Sequence, residues 1–218
     1  MSRSDFLAQR SLQKRSAILD AARRRFAADG YTGASMEAIA LAAEVSTATL
    51  YKLFPSKLAL FGDVWRAELD HFAPIQTAAA TVAPAERPLA VARIYARGLN
   101  DPVRLGLLRA MLAGVSATPE IGAQFYENVR VNISSAFSAM ALSLHESGHI
   151  VCSDEAQANL AGGQLMGMVE HWMLWGLLFA DARPKAPPDE IAAAAADAFW
   201  RAWGARRPVS DVTPDRGG

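Results

Sequence analysis

The sequence predicts an all-α chain: a three-helix unit containing a helix-turn-helix, followed by a larger helical domain. Three observations carry this. Apolar residues recur at intervals of three and four, and no stretch shows the two-residue alternation of a strand. Ser, Asp and Pro stand where these runs begin and Gly where several end, the positions at which helices are capped and stopped. Of 218 residues, 51% are apolar and 20% charged, enough apolar surface to bury a core and too little charge for default disorder.

The elements follow in order. Residues 1 to about 10 read as a mildly basic flexible arm, either a frayed terminus or a phosphate contact. The first helix is expected from Leu12 to Ala28, with Ile18, Ala21, Ala22 and Phe26 inward. Arg23, Arg24 and Arg25 near its end complement the helix dipole or touch DNA. Gly30 supplies a left-handed cap. Ser35 caps a second helix through Met36, Ile39, Ala40 and Ala43, and Glu44-Val45-Ser46 forms a turn. Ser46 caps Thr47–Leu53, which Pro55 stops. Helices joined by so short a turn cross steeply, and the second can enter a major groove.

Beyond Ser56, one long helix is expected from Leu58 to about Ala80, bent at Pro74. A loop over 81–88, a helix over 89–99 and an Asp101-Pro102 start to a helix ending at Val115 follow. Thr118-Pro119-Glu120 opens a helix to Ser147, striped by Phe125, Val129, Ile133, Phe137, Met140 and Leu144, with Gly148 at its end. The last two helices span about 153–181 and 189–203. The domains are therefore 1–57 and 58–205, with a disordered tail over 206–218.

Net charge is zero, yet residues 1–60 carry nine Lys/Arg against five Asp/Glu, while the other 158 hold thirteen against seventeen. The basic half contains the helix-turn-helix. One cysteine, Cys152, excludes an intramolecular disulfide. The amino terminus lacks the apolar core of a secretory signal, and the longest apolar stretch is short for a bilayer and interrupted by Glu170 and His171. A cytoplasmic protein without membrane contact is expected.

Ala17-Ile-Leu-Asp-Ala-Ala, Phe26-Ala, Gly30-Tyr-Thr, Ser35-Met-Glu-Ala-Ile-Ala and Val45-Ser-Thr-Ala-Thr-Leu-Tyr-Lys-Leu-Phe-Pro-Ser-Lys together resemble the amino-terminal DNA-binding domain of the TetR family of repressors. The resemblance spans about residues 12 to 61. The remainder looks most like the AefR-type carboxy-terminal domains of that family. This resemblance implies a homodimeric repressor reading palindromic operator DNA and released by a small effector, with no cofactor and no catalytic residue. It places Thr47, Ala48, Thr49 and Lys52 at base-reading positions. Thr and Ala methyls can touch thymine methyls, and Lys52 can donate to guanine. Tyr51, Ser35, Met36 (through its backbone N–H) and Lys57 are expected on phosphates.

Dimerisation is expected through the last two helices. Leu160 to Phe179 is apolar nearly all round, so it needs cover on both sides; Gly162, Gly163, Gly167 and Gly176 permit close approach. The alternative is a central core helix in a monomer. The resemblance also implies a pocket, for which Phe72, Met111, Phe125, Met140, Met168, His171 and Trp172 are candidates, and a hydrophobic or aromatic effector. Each of these residues also reads as ordinary core. At least one of Glu170 and His171 is expected to face a cavity.

Two other readings remain. His145-Glu-Ser-Gly-His149 matches HExxH, the signature of a zinc-dependent hydrolase, but Gly148 sits inside it at a helix end. Alternatively, the chain is a helical ligand-binding module whose helix-turn-helix does not read DNA. Cys152 as a redox sensor is the lesser reading of a lone cysteine.

Overall fold

The computed structural model describes residues 3–127, 131–180, 184 and 186–205. Twelve helices account for nearly all of these: α1 (Arg3–Gly33), α2 (Met36–Ala42), α3 (Thr47–Leu53), α4 (Lys57–Leu69), α5 (Ala73–Thr81), α6 (Arg87–Leu99), α7 (Pro102–Val115), α8 (Pro119–Phe125), α9 (Val131–Glu146), α10 (Glu155–Met173), α11 (Trp175–Ala180) and α12 (Pro188–Trp203). No strand occurs among the described residues. A single antiparallel bridge, Ile150 to Gly204, ties the turn after α9 to the end of α12.

Helices α1 to α3 close over Ile18, Ala22, Phe26, Ile39, Leu50 and Phe54, all buried. Phe61 on α4 meets Phe26 edge to face at 4.9 Å, which fixes α4 against that unit. The core then runs without interruption into α5–α12. Helix α1 lies along α7, and their closest approach is at Gly106: a Cβ there would stand 2.7 Å from the Ala27 carbonyl oxygen. Gly162 plays the same part between α10 and α9, where a Cβ would meet the Phe137 carbonyl oxygen at 2.5 Å.

Several expectations need correction. The predicted arm is helical from Arg3, because nothing before Ala28 breaks a helix and Leu, Ala, Gln and Arg favour one. Gly30 has the positive φ expected (74°) and ends the first helical run, but its ψ of 170° is not that of a left-handed cap, and a short second run follows to Gly33. The long helix over 58–80 is two. A 3-10 turn, Asp70–Phe72, separates α4 from α5, since Pro74 has no N–H to return to the Asp70 carbonyl. Within the predicted 118–147 helix, the described helical runs are α8 and α9; Val129 lies outside the described residues. The 153–181 helix breaks at Leu174, giving α10 and α11. Its predicted end at Asp181, much of the following loop, the 206–218 tail and residues 1–2 also lie outside the described residues.

Candidate DNA-reading face and effector cavity

Three exposed serines organise the helix-turn-helix. Ser35 Oγ accepts the Ala38 N–H at 3.0 Å, Ser46 Oγ the Thr49 N–H at 3.2 Å, and Ser56 Oγ the Ala59 N–H at 3.0 Å. Each satisfies a donor the first helical turn would otherwise leave unpaired. Between α2 and α3, Glu44 takes φ 55°, a left-handed turn made without glycine. On α3, Leu50 and Phe54 are buried while Ala48, Tyr51 and Lys52, one helical face, are exposed. Thr47 and Thr49 are half-buried, and the Thr49 hydroxyl sits 2.9 Å from Ser46 Oγ. Met36 buries its side chain at the first position of α2.

Lys57 behaves differently from a free surface cation. Its ammonium donates to the Thr32 carbonyl at 3.1 Å and lies 4.9 Å from the Tyr31 ring centroid. This brings the charge back to the segment preceding α2. Burial lowers its pKa. Of the arginine run, Arg25 pairs with Asp29 on the same helix at 2.9 Å. Arg23 turns away from α2 and α3 to reach Glu68 and Asp101.

A cavity of about 200 Å³ lies between α4 and the 3-10 turn after it, α6 to α9, and α10–α11. Phe72, Met111 and Phe125 line it, together with Trp65, Tyr95, Leu108 and Ile133. Met140, Met168, His171 and Trp172 do not. Met140 is wholly buried in the core, and Met168 packs against that core from outside. Register explains the other two: Glu170, Leu174 and Leu178 face the cavity at four-residue steps, which turns His171 and Trp172 outward to solvent. Of the two ionisable residues, Glu170 is thus the one facing the cavity, where it accepts from the Tyr95 hydroxyl at 2.6 Å. The indole Nε1 of Trp65 is buried without a hydrogen-bond partner among the described residues.

Arg104 also forms part of the cavity wall. It and Glu68 are both nearly fully buried and paired at 2.8 Å. Sequence reasoning passed over both, although each stands in an apolar stripe: Phe61, Trp65 and Glu68 on α4, continued by Phe72 in the 3-10 turn, and Arg104, Leu108, Met111 on α7. Asp101 is the cap of α7, accepting the N–H groups of Val103 and Arg104. Burial pushes its carboxyl up, but those donors and the Arg23 guanidinium outweigh burial and hold its pKa below the usual range.

The HExxH segment lacks the geometry of its signature. Helix α9 ends at Glu146, Gly148 takes φ 72°, and His149 Nδ1 meets Ser147 Oγ at 2.9 Å. Among the described residues, no group of three His, Cys, Asp or Glu is placed to hold a metal ion. Cys152 is half-buried, and burial, followed by Asp154, raises its pKa, opposite to the shift of a reactive thiolate. No helix among the described residues is long and apolar enough to cross a membrane.

Residues 18–64 match the model of the bacterial regulatory proteins of the TetR family, and residues 89–205 that of the AefR-like transcriptional repressor carboxy-terminal domain. Among solved structures, a TetR-family transcriptional regulator from Mesorhizobium loti MAFF303099 is 26% identical with a TM-score of 0.79, covering 90% of this chain and 99% of its own. A TetR-family regulator from Pseudomonas syringae pv. tomato DC3000 (24% identity, TM-score 0.69, 89% and 98% covered) shares the fold. So does the flavonoid-responsive regulator FrrA (23% identity, TM-score 0.67, 89% and 98% covered). No curated protein sequence matches the chain.

Proposed function

The chain belongs to the TetR family of bacterial transcriptional regulators, and from that premise we propose that it is a homodimeric repressor of palindromic operator DNA, released by a hydrophobic or aromatic effector. One observation carries the proposal: a reading helix with an exposed Ala48, Tyr51 and Lys52 face and a largely apolar cavity belong to one continuous core, joined through α4. Residues 1–57 read the operator in the cytoplasm, and 58–205 bind the effector and the partner subunit. Thr47, Ala48, Thr49 and Lys52 contact bases. Ser35, Met36, Tyr51 and Lys57 hold phosphates. With small readers and no Arg, Asn or Gln among them, part of the specificity comes from DNA shape.

Phe72, Met111 and Phe125 contact the effector body. An aromatic effector accords with the aromatic walls and with the flavonoid response of FrrA. Dimerisation accords with the exposed Leu160, Trp172, Trp175 and Phe179, and with open space around Gly163 and Gly167. Apolar groups left in water along the end of the bundle are what a second copy would cover. Effector binding favours a conformation whose two reading helices no longer fit successive grooves, and that differential affinity releases the operator.

Selection of random duplex DNA by the purified protein, with anisotropy titrations at several salt concentrations, tests this. A two-half-site palindrome weakened by aromatic ligands is the expected result. Weak, steeply salt-dependent binding with no enriched sequence would refute it and favour the module that does not read DNA.

A further inference from the structure

Four charged residues join the cavity wall to α1. Arg104 Nε donates to Glu68 Oε2 at 2.8 Å, and Arg23 Nε donates to Glu68 Oε1 at 2.5 Å. Arg23 Nη2 then reaches Asp101 Oδ2 at 2.6 Å. Two cations and two carboxylates thus balance, and they fasten α1 to α4 and to the start of α7. Glu68 is 2% exposed and Arg104 3%, so water cannot take over either charge. The Arg104 guanidinium lies 4.8 Å from the centroid of the Phe72 ring, and both side chains face the cavity. Arg104 also donates to the Gly98 carbonyl at the end of α6.

A buried ion pair is a poor way to gain stability, because apolar residues of the same volume often do as well; its best-attested use is in register and switching. We propose that Arg104, Glu68 and Arg23 are positioning residues that couple the cavity to the DNA-reading unit: Arg104 senses what fills the cavity, and Glu68 passes its displacement to Arg23 on α1. This rests on the ligand-responsive reading above. A bulky aromatic body in the cavity presses on Phe72 and Arg104. If Arg104 moves, Glu68 is left buried with one of its two cations. Helix α4 must follow to keep the charge paired, and Arg23 carries the shift to α1. An apolar wall at these positions would deform without that obligation.

The test uses reciprocity, since operator and effector must weaken each other by the same factor. The probe is 1-aminoanthracene, titrated by fluorescence with and without the duplex recovered by selection. In the wild type, saturating duplex should weaken probe binding by about fivefold or more, the lower end of ordinary allosteric coupling. Arg23→Gln leaves the buried Arg104–Glu68 pair intact and should bind probe alone and duplex alone nearly as the wild type does, while the coupling factor falls to about one. Glu68→Gln, which keeps the volume and a carbonyl acceptor, should show the same loss. Coupling at the wild-type value in either variant overturns the proposal and leaves the ligand-responsive reading standing. Independent binding of probe and duplex in the wild type overturns both.

Discussion

Replacing Gly106 with alanine should loosen the seam between α1 and α7. The new Cβ would stand 2.7 Å from the Ala27 carbonyl oxygen, 2.9 Å from its Cβ and 3.0 Å from its Cα. Two of these atoms are backbone, so no rotamer change relieves them, and the helices must move apart. Overpacking of this kind costs about 2–3 kcal/mol at the upper part of its range. The better helix propensity of alanine returns about 1 kcal/mol. The net loss is about 1–2 kcal/mol, a fall of roughly 2–8 °C in Tm for a chain of this size. Gly62→Ala provides the contrast. Its Cβ would meet Gln124 Oε1 at 2.9 Å, but that atom ends a side chain that can swing away. Gly62→Ala should therefore melt at or slightly above the wild type. Thermal unfolding followed by circular dichroism at 222 nm measures both. A Gly106→Ala protein as stable as the wild type, or an equal fall in the two variants, would refute the reasoning from backbone contact.

Three further outcomes are expected. Lys57→Ala should weaken binding to every sequence alike and make the salt slope shallower by about one, whereas Lys52→Ala should relax preference at one base pair per half-site; anisotropy on matched and mismatched duplexes separates them, and a base-specific loss from Lys57→Ala would contradict the assignment. Trp175, 56% exposed and stacked on Phe179, should on replacement by Glu shift the protein from dimer to monomer in sedimentation and abolish tight binding to the palindrome. A Trp175→Glu protein that stays dimeric would remove this face from the interface. Asp101 titrates in the folded state below its unfolded value of about 3.9. Its contribution is therefore complete at neutral pH and disappears as pH falls through the folded value. Urea unfolding should show Asp101→Asn less stable than the wild type at pH 7, with the gap closing in acid; a gap that widens in acid would reverse the sign.

Local signals were legible and long-range ones were not. The serine caps at 35 and 46 and the Gly148 stop are each decided within one or two turns, and they stand as read. Pro74 marked a disturbance, but its missing hydrogen bond acts four residues upstream, and the turn forms at Asp70–Phe72. Glu44 gave no sign of its left-handed backbone, since neither Gly nor Asn stands there. Periodicity identified Phe72, Met111 and Phe125 as apolar but could not tell a cavity wall from a filled core, and so it admitted Met140 equally. His171 and Trp172 failed on register, which depends on how α10 packs against α6 and α9. The partners of Arg23 stand 45 and 78 residues away, so a local reading offered only a dipole complement or a DNA contact.

The Pro74 break also has a mechanical consequence. It leaves α4 as a straight rod of thirteen residues, about 20 Å long, gripped at one end by the Glu68 ion pairs and joined at the other to the reading helix through Pro55 and Ser56. Tilting a rod of that length by about 5° about its gripped end sweeps its far end through roughly 2 Å. Hydrogen bonds to base edges survive only a few tenths of an ångström of displacement. If α4 carries the coupling proposed above, a motion too small to unpack anything near the cavity would be geared up, by length alone, into one that a DNA groove could not accommodate.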